Sequence, residues 1–267
     1  MKLTIAFSPC PNDTFIFDAL IHEKIDTEGL IFDVIIADVE QLNRWAFNGK
    51  FDITKLSFGA FTNCVDKYAL LDSGAAIGRN CGPILIRKPK KKLDSESKIA
   101  IPGKFTTANM ILSIAFPELS NKEEFLFSDI ENKVLNDEVD AGLIIHENRF
   151  TYKDKGLEKE KDLGEFWEEK TSLPIPLGGI VIKRGISFEI QKKFERLLRR
   201  SVEFAFKNRD SSSDYVKSLA HVMKKEVVDA HIRLYVNNFS ISLGKEGREA
   251  VETIFNHNFL KCDNIFV

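Results

Sequence analysis

The sequence lacks the features that mark a metal centre, a disulfide framework or a membrane span. Cys10, Cys64, Cys81 and Cys262 are its four cysteines, scattered without paired spacing over 267 residues. They read as reduced thiols rather than a disulfide set. There is no CxxC pair, HExxH helix or acidic calcium loop, which argues against a structural or catalytic metal. The GxxxxGK and GxGxxG loops that cradle phosphates are missing too, and no GxSxG elbow or Cys–His pairing supports acyl chemistry. No apolar run approaches the roughly 18 residues of a membrane span. The opening MKLTIAFSPC enters a strand-like run without a basic-then-apolar leader, so the expected compartment is the cytoplasm. Charge of one sign is also lacking. With 38 basic against 40 acidic residues and a pI near 6.3, no general field draws nucleic acid or anionic lipid. The expected partner is a small molecule or another protein.

What is present is ample core material. At 43% hydrophobic, the chain can fill one large domain or two small ones. Short runs rich in Ile and Val predict strands at Leu3–Phe7, Ile31–Ile36, Pro83–Ile86, Lys98–Ile101, Leu143–Ile145 and Ile180–Ile182. Between them, Thr14–His22, Val39–Asn48 and Thr106–Phe116 predict helices. This alternation implies α/β layers with largely parallel pairing. Toward the carboxyl terminus the pattern becomes helical: Ile190, Phe194, Leu197, Leu198, Val202 and Ala205, then Tyr215–Met223, Val227–Val236 and Glu246–Phe255. Two segments resemble crossings between lobes: RKPKKKLDSESK (87–98) and KTSLPIPLGG (170–179). They divide the chain into a larger lobe, 1–98 plus 175–267, and an inserted lobe, 99–174, with a hinged cleft expected between them. The charged run KDKGLEKEKDLGEFWEEK (153–170) reads as solvated surface. No repeat or low-complexity tract is present.

Three strand-to-helix junctions carry candidate chemistry. In SPCPNDTFIFDAL (8–20), Asn12 or Asp13 can cap a helix near Thr14. DITKLSFGAF (52–61) and IAIPGKFTTANMIL (99–112) have the same form, offering Ser57 and Thr107 at strand ends. Amides at a helix start, beside a hydroxyl, suit a carboxylate or an enolate oxygen. Ligands in open α/β sheets sit beyond the carboxyl ends of strands. In DAGLIIHENRFTY (140–152) an apolar run halts at His146, followed at once by Glu147, Asn148 and Arg149. The residues alone leave two readings: a strand entering a polar loop, or a base at the lip of a cleft. His22, His221 and His257 lie in polar or helical surroundings, and His231 reads as a packing residue with a hydrogen bond.

Taken in order, SPCPNDTFIF, TKLSFGA, GRNCGPILI, PGKFTTA, AGLIIHENRFTY, DLGEFWEEKTSLPIPLGG and YVNNFS closely resemble the 1,4-dihydroxy-6-naphthoate synthases of the futalosine route to menaquinone. The resemblance covers nearly the whole chain. It implies an α/β, two-lobed periplasmic-binding-protein-like (type II) fold with a cleft between lobes. It also implies a lyase that splits cyclic dehypoxanthine futalosine into 1,4-dihydroxy-6-naphthoate and dihydroxyacetone. On this resemblance His146 is the base, and the stretches that contact the carboxylate substrate are Lys55, Leu56 and Ser57, with Thr107 and Ala108. Asn80-Cys81 and Phe105 depart from the family pattern at its flanks.

Two rival readings share the fold. A solute receptor would bind without catalysis, and a chorismate dehydratase-like enzyme would act in the same pathway; the histidine of LIIHE favours the synthase. The sequence leaves the oligomeric state open. The reaction needs proton removal, an oxyanion site and a fragment whose departure aromatises the ring, so no cofactor is expected. Full turnover is therefore predicted after exhaustive dialysis against a chelator, and activity restored only by a divalent metal would contradict this.

Overall fold

The computed structural model describes residues 1–220, 224–257 and 265–267. His221, Met223 and Cys262 lie outside the described residues. The first segment runs β1 (Lys2–Phe7), α1 (Pro11–Ile21), β2 (Ile31–Ile36), α2 (Val39–Ala46), β3 (Ile53–Ser57), α3 (Phe58–Phe61), β4 (Tyr68–Leu70) and β5 (Ala76–Gly78). The second runs β6 (Ile84–Arg87), β7 (Ile99–Ile101), α4 (Thr107–Ala115), β8 (Lys122–Glu124), α5 (Ile130–Leu135), β9 (Ala141–Ile144), β10 (Glu158–Asp162) and α6 (Leu163–Thr171). The last holds β11 (Ile175–Lys183), α7 (Phe188–Lys207), α8 (Ser213–Leu219), α9 (Lys225–Tyr235), α10 (Asn238–Ile241) and α11 (Gly244–His257). The chain divides into two compact units, one of Met1–Gly78 with Pro176–Val267 and the other of Arg79–Ile175.

The first unit holds a sheet ordered β2-β1-β3-β11-β4, with β5 paired to β11. Its left half is parallel, β1 pairing with β2 and with β3. Its right half is antiparallel, because β11 runs against both β3 and β4. The period of two in KLTIAF sorts β1 between two cores. Leu3, Ile5 and Phe7 pack with α1 and α7 in the larger one, while Ala6 joins Leu42 and Phe51 near α2. Residues Pro11 to Leu20 of α1 are all buried. Ser201 on α7 clasps this helix, its Oγ donating to Ile16 O (2.6 Å) and accepting from Leu20 N (3.1 Å).

The second unit holds a five-stranded sheet ordered β10-β6-β9-β7-β8. Here β9, β7 and β8 run parallel, whereas β6 and β10 are antiparallel. Both sheets are therefore mixed, where the alternation of elements had implied largely parallel pairing. The first crossing also differs from the sequence expectation: it falls at Arg79, not near residue 99. Strand β6 belongs to the second unit because Ile84–Arg87 pairs with β9 on one side and β10 on the other, and no local feature of the sequence encodes those partners. The run read as solvated surface is likewise structured. Glu158–Asp162 forms an edge strand, and α6 buries Trp167 completely.

Gly142 sets how closely α5 packs on β9. A Cβ there would lie 2.5 Å from Ile130 Cγ2 and 2.9 Å from Val134 Cγ2. Gly142→Ala is expected to lower stability by about 1–3 kcal/mol through overpacking, read as a shift in the midpoint of urea unfolding. An unchanged midpoint would mean that α5 does not pack on β9 at this distance.

Candidate active site

Parallel pairing gathers the candidate residues at strand ends within each unit. In the first unit, β1 and β3 run side by side, so the loop after Phe7 and the end of β3 at Ser57 share one edge. Helix α1 starts earlier than the sequence implied. Pro11 occupies its first turn, Cys10 precedes it with no side-chain cap, and Asn12 and Asp13 fall inside the helix. Neither caps it. Proline suits a first turn, since its missing N–H has no intrahelical acceptor there.

The buried Asp13 instead faces β3. Its Oδ1 accepts from Asn12 Nδ2 (2.8 Å) and its Oδ2 from Ser8 Oγ (2.7 Å) and Ser8 N (3.3 Å). Lys55 Nζ lies 3.1 Å from Asp13 Oδ1, with the lysine side chain 8% exposed. Among the described residues the ammonium has this charge contact but no directed hydrogen bond. The lysine stem passes Gly178 on β11, where a Cβ would come within 3.3 Å of Lys55 Cε and 2.6 Å of Leu56 O. Leu56 alternates away and is buried. Ser57 ends the strand and precedes α3. Its amide donates to Asn43 Oδ1 (3.0 Å), and its Oγ accepts from Asn43 Nδ2 (3.2 Å). As an acceptor of that bond, the hydroxyl keeps its own hydrogen for donation.

In the second unit, β7 and β9 are parallel neighbours, which puts the loop into α4 and the residues after Ile144 at the same edge. Thr106 caps α4, accepting from Asn109 N (3.1 Å) and donating to Gly103 O (2.9 Å). Thr107 and Ala108 are buried in the first turn, where amides have no intrahelical acceptors. His146 follows β9 by two residues with φ of +57°. The left-handed region costs a residue with a Cβ about 1–2 kcal/mol, and outliers of this kind cluster at functional sites. The half-buried ring packs edge-on against Phe127, with centroids 4.9 Å apart, so its side chain is a packing element as well.

The polar residues after His146 have separate structural partners. Asn148 Nδ2 donates to Glu131 Oε2 on α5 (2.9 Å), which also receives Lys155 Nζ (2.7 Å). Arg149 donates to Gly82 O (2.6 Å) and to Asp162 Oδ2 (3.3 Å). Asp162 in turn caps α6 through Oδ1, accepting from Gly164 N and Glu165 N. The polar run thus anchors a short 3₁₀ turn, His146–Phe150, to two helices and leaves the imidazole at its start. Sequence reasoning missed Asn43, Phe127 and Glu131, none of which lies in a recognisable pattern with its partner. His231 is fully buried, its Nε2 2.9 Å from Asn12 Oδ1.

Other chemistry is poorly served. Burial pushes the Cys64 and Cys81 thiols up to about 12, so neither provides a thiolate at neutral pH. Among the described residues, no group of three His, Cys, Asp or Glu side chains could hold a metal ion. Among them too, no helix is long and apolar enough to cross a membrane.

The family model described as menaquinone biosynthesis matches residues 3–259. The chain belongs to that family. It is 41% identical over 254 residues to a Thermus thermophilus protein named 1,4-dihydroxy-6-naphtoate synthase, covering 95% of this chain and 92% of the relative. A crystal structure of an Archaeoglobus fulgidus protein superposes with a TM-score of 0.90 at 36% identity, covering 96% of each chain. A Candida albicans protein with the generic periplasmic binding protein fold matches with a TM-score of 0.67 at 12% identity, over 99% of this chain and 92% of that one. This likeness supports the fold alone: the chain has the periplasmic-binding-protein fold.

Within this family member, Glu131 is the group that holds the histidine turn to α5. Glu131→Ala should cost about 1–3 kcal/mol, because it leaves the buried Asn148 amide unsatisfied. Chemical denaturation checks it, and a wild-type midpoint would refute the anchoring role.

Proposed function

We propose that the chain acts as a 1,4-dihydroxy-6-naphthoate synthase, a carbon–carbon lyase. It splits cyclic dehypoxanthine futalosine into 1,4-dihydroxy-6-naphthoate and dihydroxyacetone, with His146 as general base. The observation that carries this reading is the placement of His146. It sits at the carboxyl edge of β9 in a left-handed conformation, while Asn148 and Arg149 hold its turn in place. The naming of the Thermus relative favours the synthase over a dehydratase or a solute receptor.

In this mechanism a neutral imidazole removes a proton next to the substrate ketone. The electron pair of the enolate drives cleavage of the carbon–carbon bond to the sugar-derived fragment, which takes back a proton from the imidazolium and leaves as dihydroxyacetone, and the ring becomes aromatic. A positioned base contributes about 10²–10⁴-fold. Lys55 and Ser57 receive the substrate carboxylate: the first brings an ammonium without a directed hydrogen bond, the second a hydroxyl hydrogen. Beside them, Leu56 supplies the buried apolar strand that aligns both. The Thr107 hydroxyl joins them in holding the substrate, and the first-turn amides of Thr107 and Ala108 stabilise oxyanions, as helix N-termini do. Cys64 and Cys81 are free thiols, in keeping with a reducing compartment such as the cytoplasm.

Asparagine tolerates positive φ better than most residues, so His146→Asn isolates the chemistry from the backbone. It should keep the wild-type unfolding midpoint within about 1 kcal/mol and lower kcat by about two to four decades. Near-normal turnover of the cyclic substrate, followed by naphthoate absorbance, would remove His146 from the mechanism. Ser57→Ala and Thr107→Ala should instead act mainly on KM, raising it by about tenfold or more. Unchanged KM in both would place substrate binding elsewhere.

A further inference from the structure

A chain of buried polar groups crosses the first unit from α9 to β3, running His231, Asn12, Asp13, Lys55. Every member is at least nine-tenths buried, at 0%, 7%, 1% and 6% exposure respectively. Hydrogen-bond direction along it is determined by chemistry. Asn12 Nδ2 donates to Asp13 Oδ1 at 2.8 Å, so the amide oxygen faces His231. An amide oxygen only accepts, so His231 Nε2, 2.9 Å away, carries the hydrogen. Asp13 is thus held from one side by Asn12 and from the other by Ser8, whose Oγ and N both donate to Oδ2. A carboxylate bound at both oxygens has one orientation available to it.

Lys55 is held differently. Its ammonium lies 3.1 Å from Asp13 Oδ1, outside hydrogen-bond geometry, and among the described residues no other group takes its hydrogens. A buried cation is costly unless it is both paired and hydrogen-bonded. Here the pairing is supplied and the hydrogen bonding is not. That is the condition of a donor waiting for an anionic acceptor: the countercharge fixes where the ammonium sits, and its N–H bonds stay available.

We infer that Asp13 is a positioning residue for substrate binding, which aims the Lys55 ammonium at the substrate carboxylate and is itself aligned by the Asn12–His231 pair. This rests on the reading of Lys55 as a carboxylate ligand. The role differs from a structural ion pair in one respect: removing Asp13 matters to substrate only while Lys55 is present.

The test is a double-mutant cycle of wild type, Asp13→Asn, Lys55→Met and the double variant. Two readouts are taken: turnover of cyclic dehypoxanthine futalosine, and equilibrium titration with 1,4-dihydroxy-6-naphthoate as an aryl carboxylate probe. Asp13→Asn should raise KM and the probe Kd by about tenfold, the scale of one hydrogen bond to a charged group, and change kcat by less than about threefold. In the Lys55→Met background the same substitution should add nothing further. Asp13→Glu keeps the charge and should recover part of the loss, whereas His231→Leu, at the far end, should give a smaller rise in KM. If Asp13→Asn fails to fold, the Asp13→Glu and His231→Leu effects, each measured with and without Lys55, decide the same question. Losses that multiply in the double variant, or a fall in kcat with KM unchanged, would overturn the inference. Wild-type affinity in Lys55→Met would overturn it as well. A wild type that binds the probe in an Asp13-dependent way but does not turn over the cyclic substrate would sink the proposed reaction and leave the positioning role standing. One that turns over normally with no dependence on Asp13 would do the reverse.

Discussion

Parallel strand pairing is the constraint on which both candidate clusters depend. Two residues separated by a helix and a strand share an edge only if their strands run the same way. Because β1 lies parallel to β3, the loop at Ser8 and the first turn of α1 with Asp13 meet the end of β3, where Lys55 and Ser57 stand. Because β7 lies parallel to β9, the start of α4 and the turn at His146 stand at one edge of their own sheet. The antiparallel members play another part. Strand β11 fastens the middle of the first sheet and contributes Gly178, whose bare Cα makes room for the lysine stem. Strands β6 and β10 carry the anchors Gly82 and Asp162 near their ends, and Arg149 draws on both.

Most buried polar groups around these edges are fully engaged, as low dielectric requires. Asn43 satisfies the amide and the hydroxyl of Ser57 together. Asp162 serves a helix cap and a guanidinium with its two oxygens. Two of the departures from this pattern fall on candidate residues. Lys55 is buried with its hydrogens undirected, and His146 holds a positive φ. Both conditions cost stability, and both belong to residues for which the family resemblance implies a role. A local violation of packing rules at such a position is what a binding or catalytic site produces. The cost is borne by cores such as that of Leu3, Ile5, Phe7, Phe194 and Leu198, all essentially inaccessible to solvent.

Much of this was legible in the sequence where the signal is local. Ile31–Ile36 forms its strand at the bounds its apolar run implies, because β-branched residues bounded by polar ones carry that preference themselves. Thr106 caps α4 as a threonine before a helix does. The apolar run that halts at an imidazole, and the hydroxyls at strand ends, marked candidate residues without any knowledge of the fold.

Other features were decided only by tertiary structure. Strand β6 joins the second unit, and the first crossing moves to Arg79, because pairing partners depend on topology and not on the strand's own residues. The charged run 158–162 becomes an edge strand, since an edge exposes side chains to water whatever their charge and asks only for a neighbour's backbone. Asp13 looked like a cap and is instead the countercharge of a lysine 42 positions away. His231 and Asn12 are separated by 219 positions. Local sequence determines what a residue prefers, through propensity and periodicity that act over a few positions. Which ammonium meets which carboxylate is determined by strand direction and register, and those exist only once the whole sheet has formed.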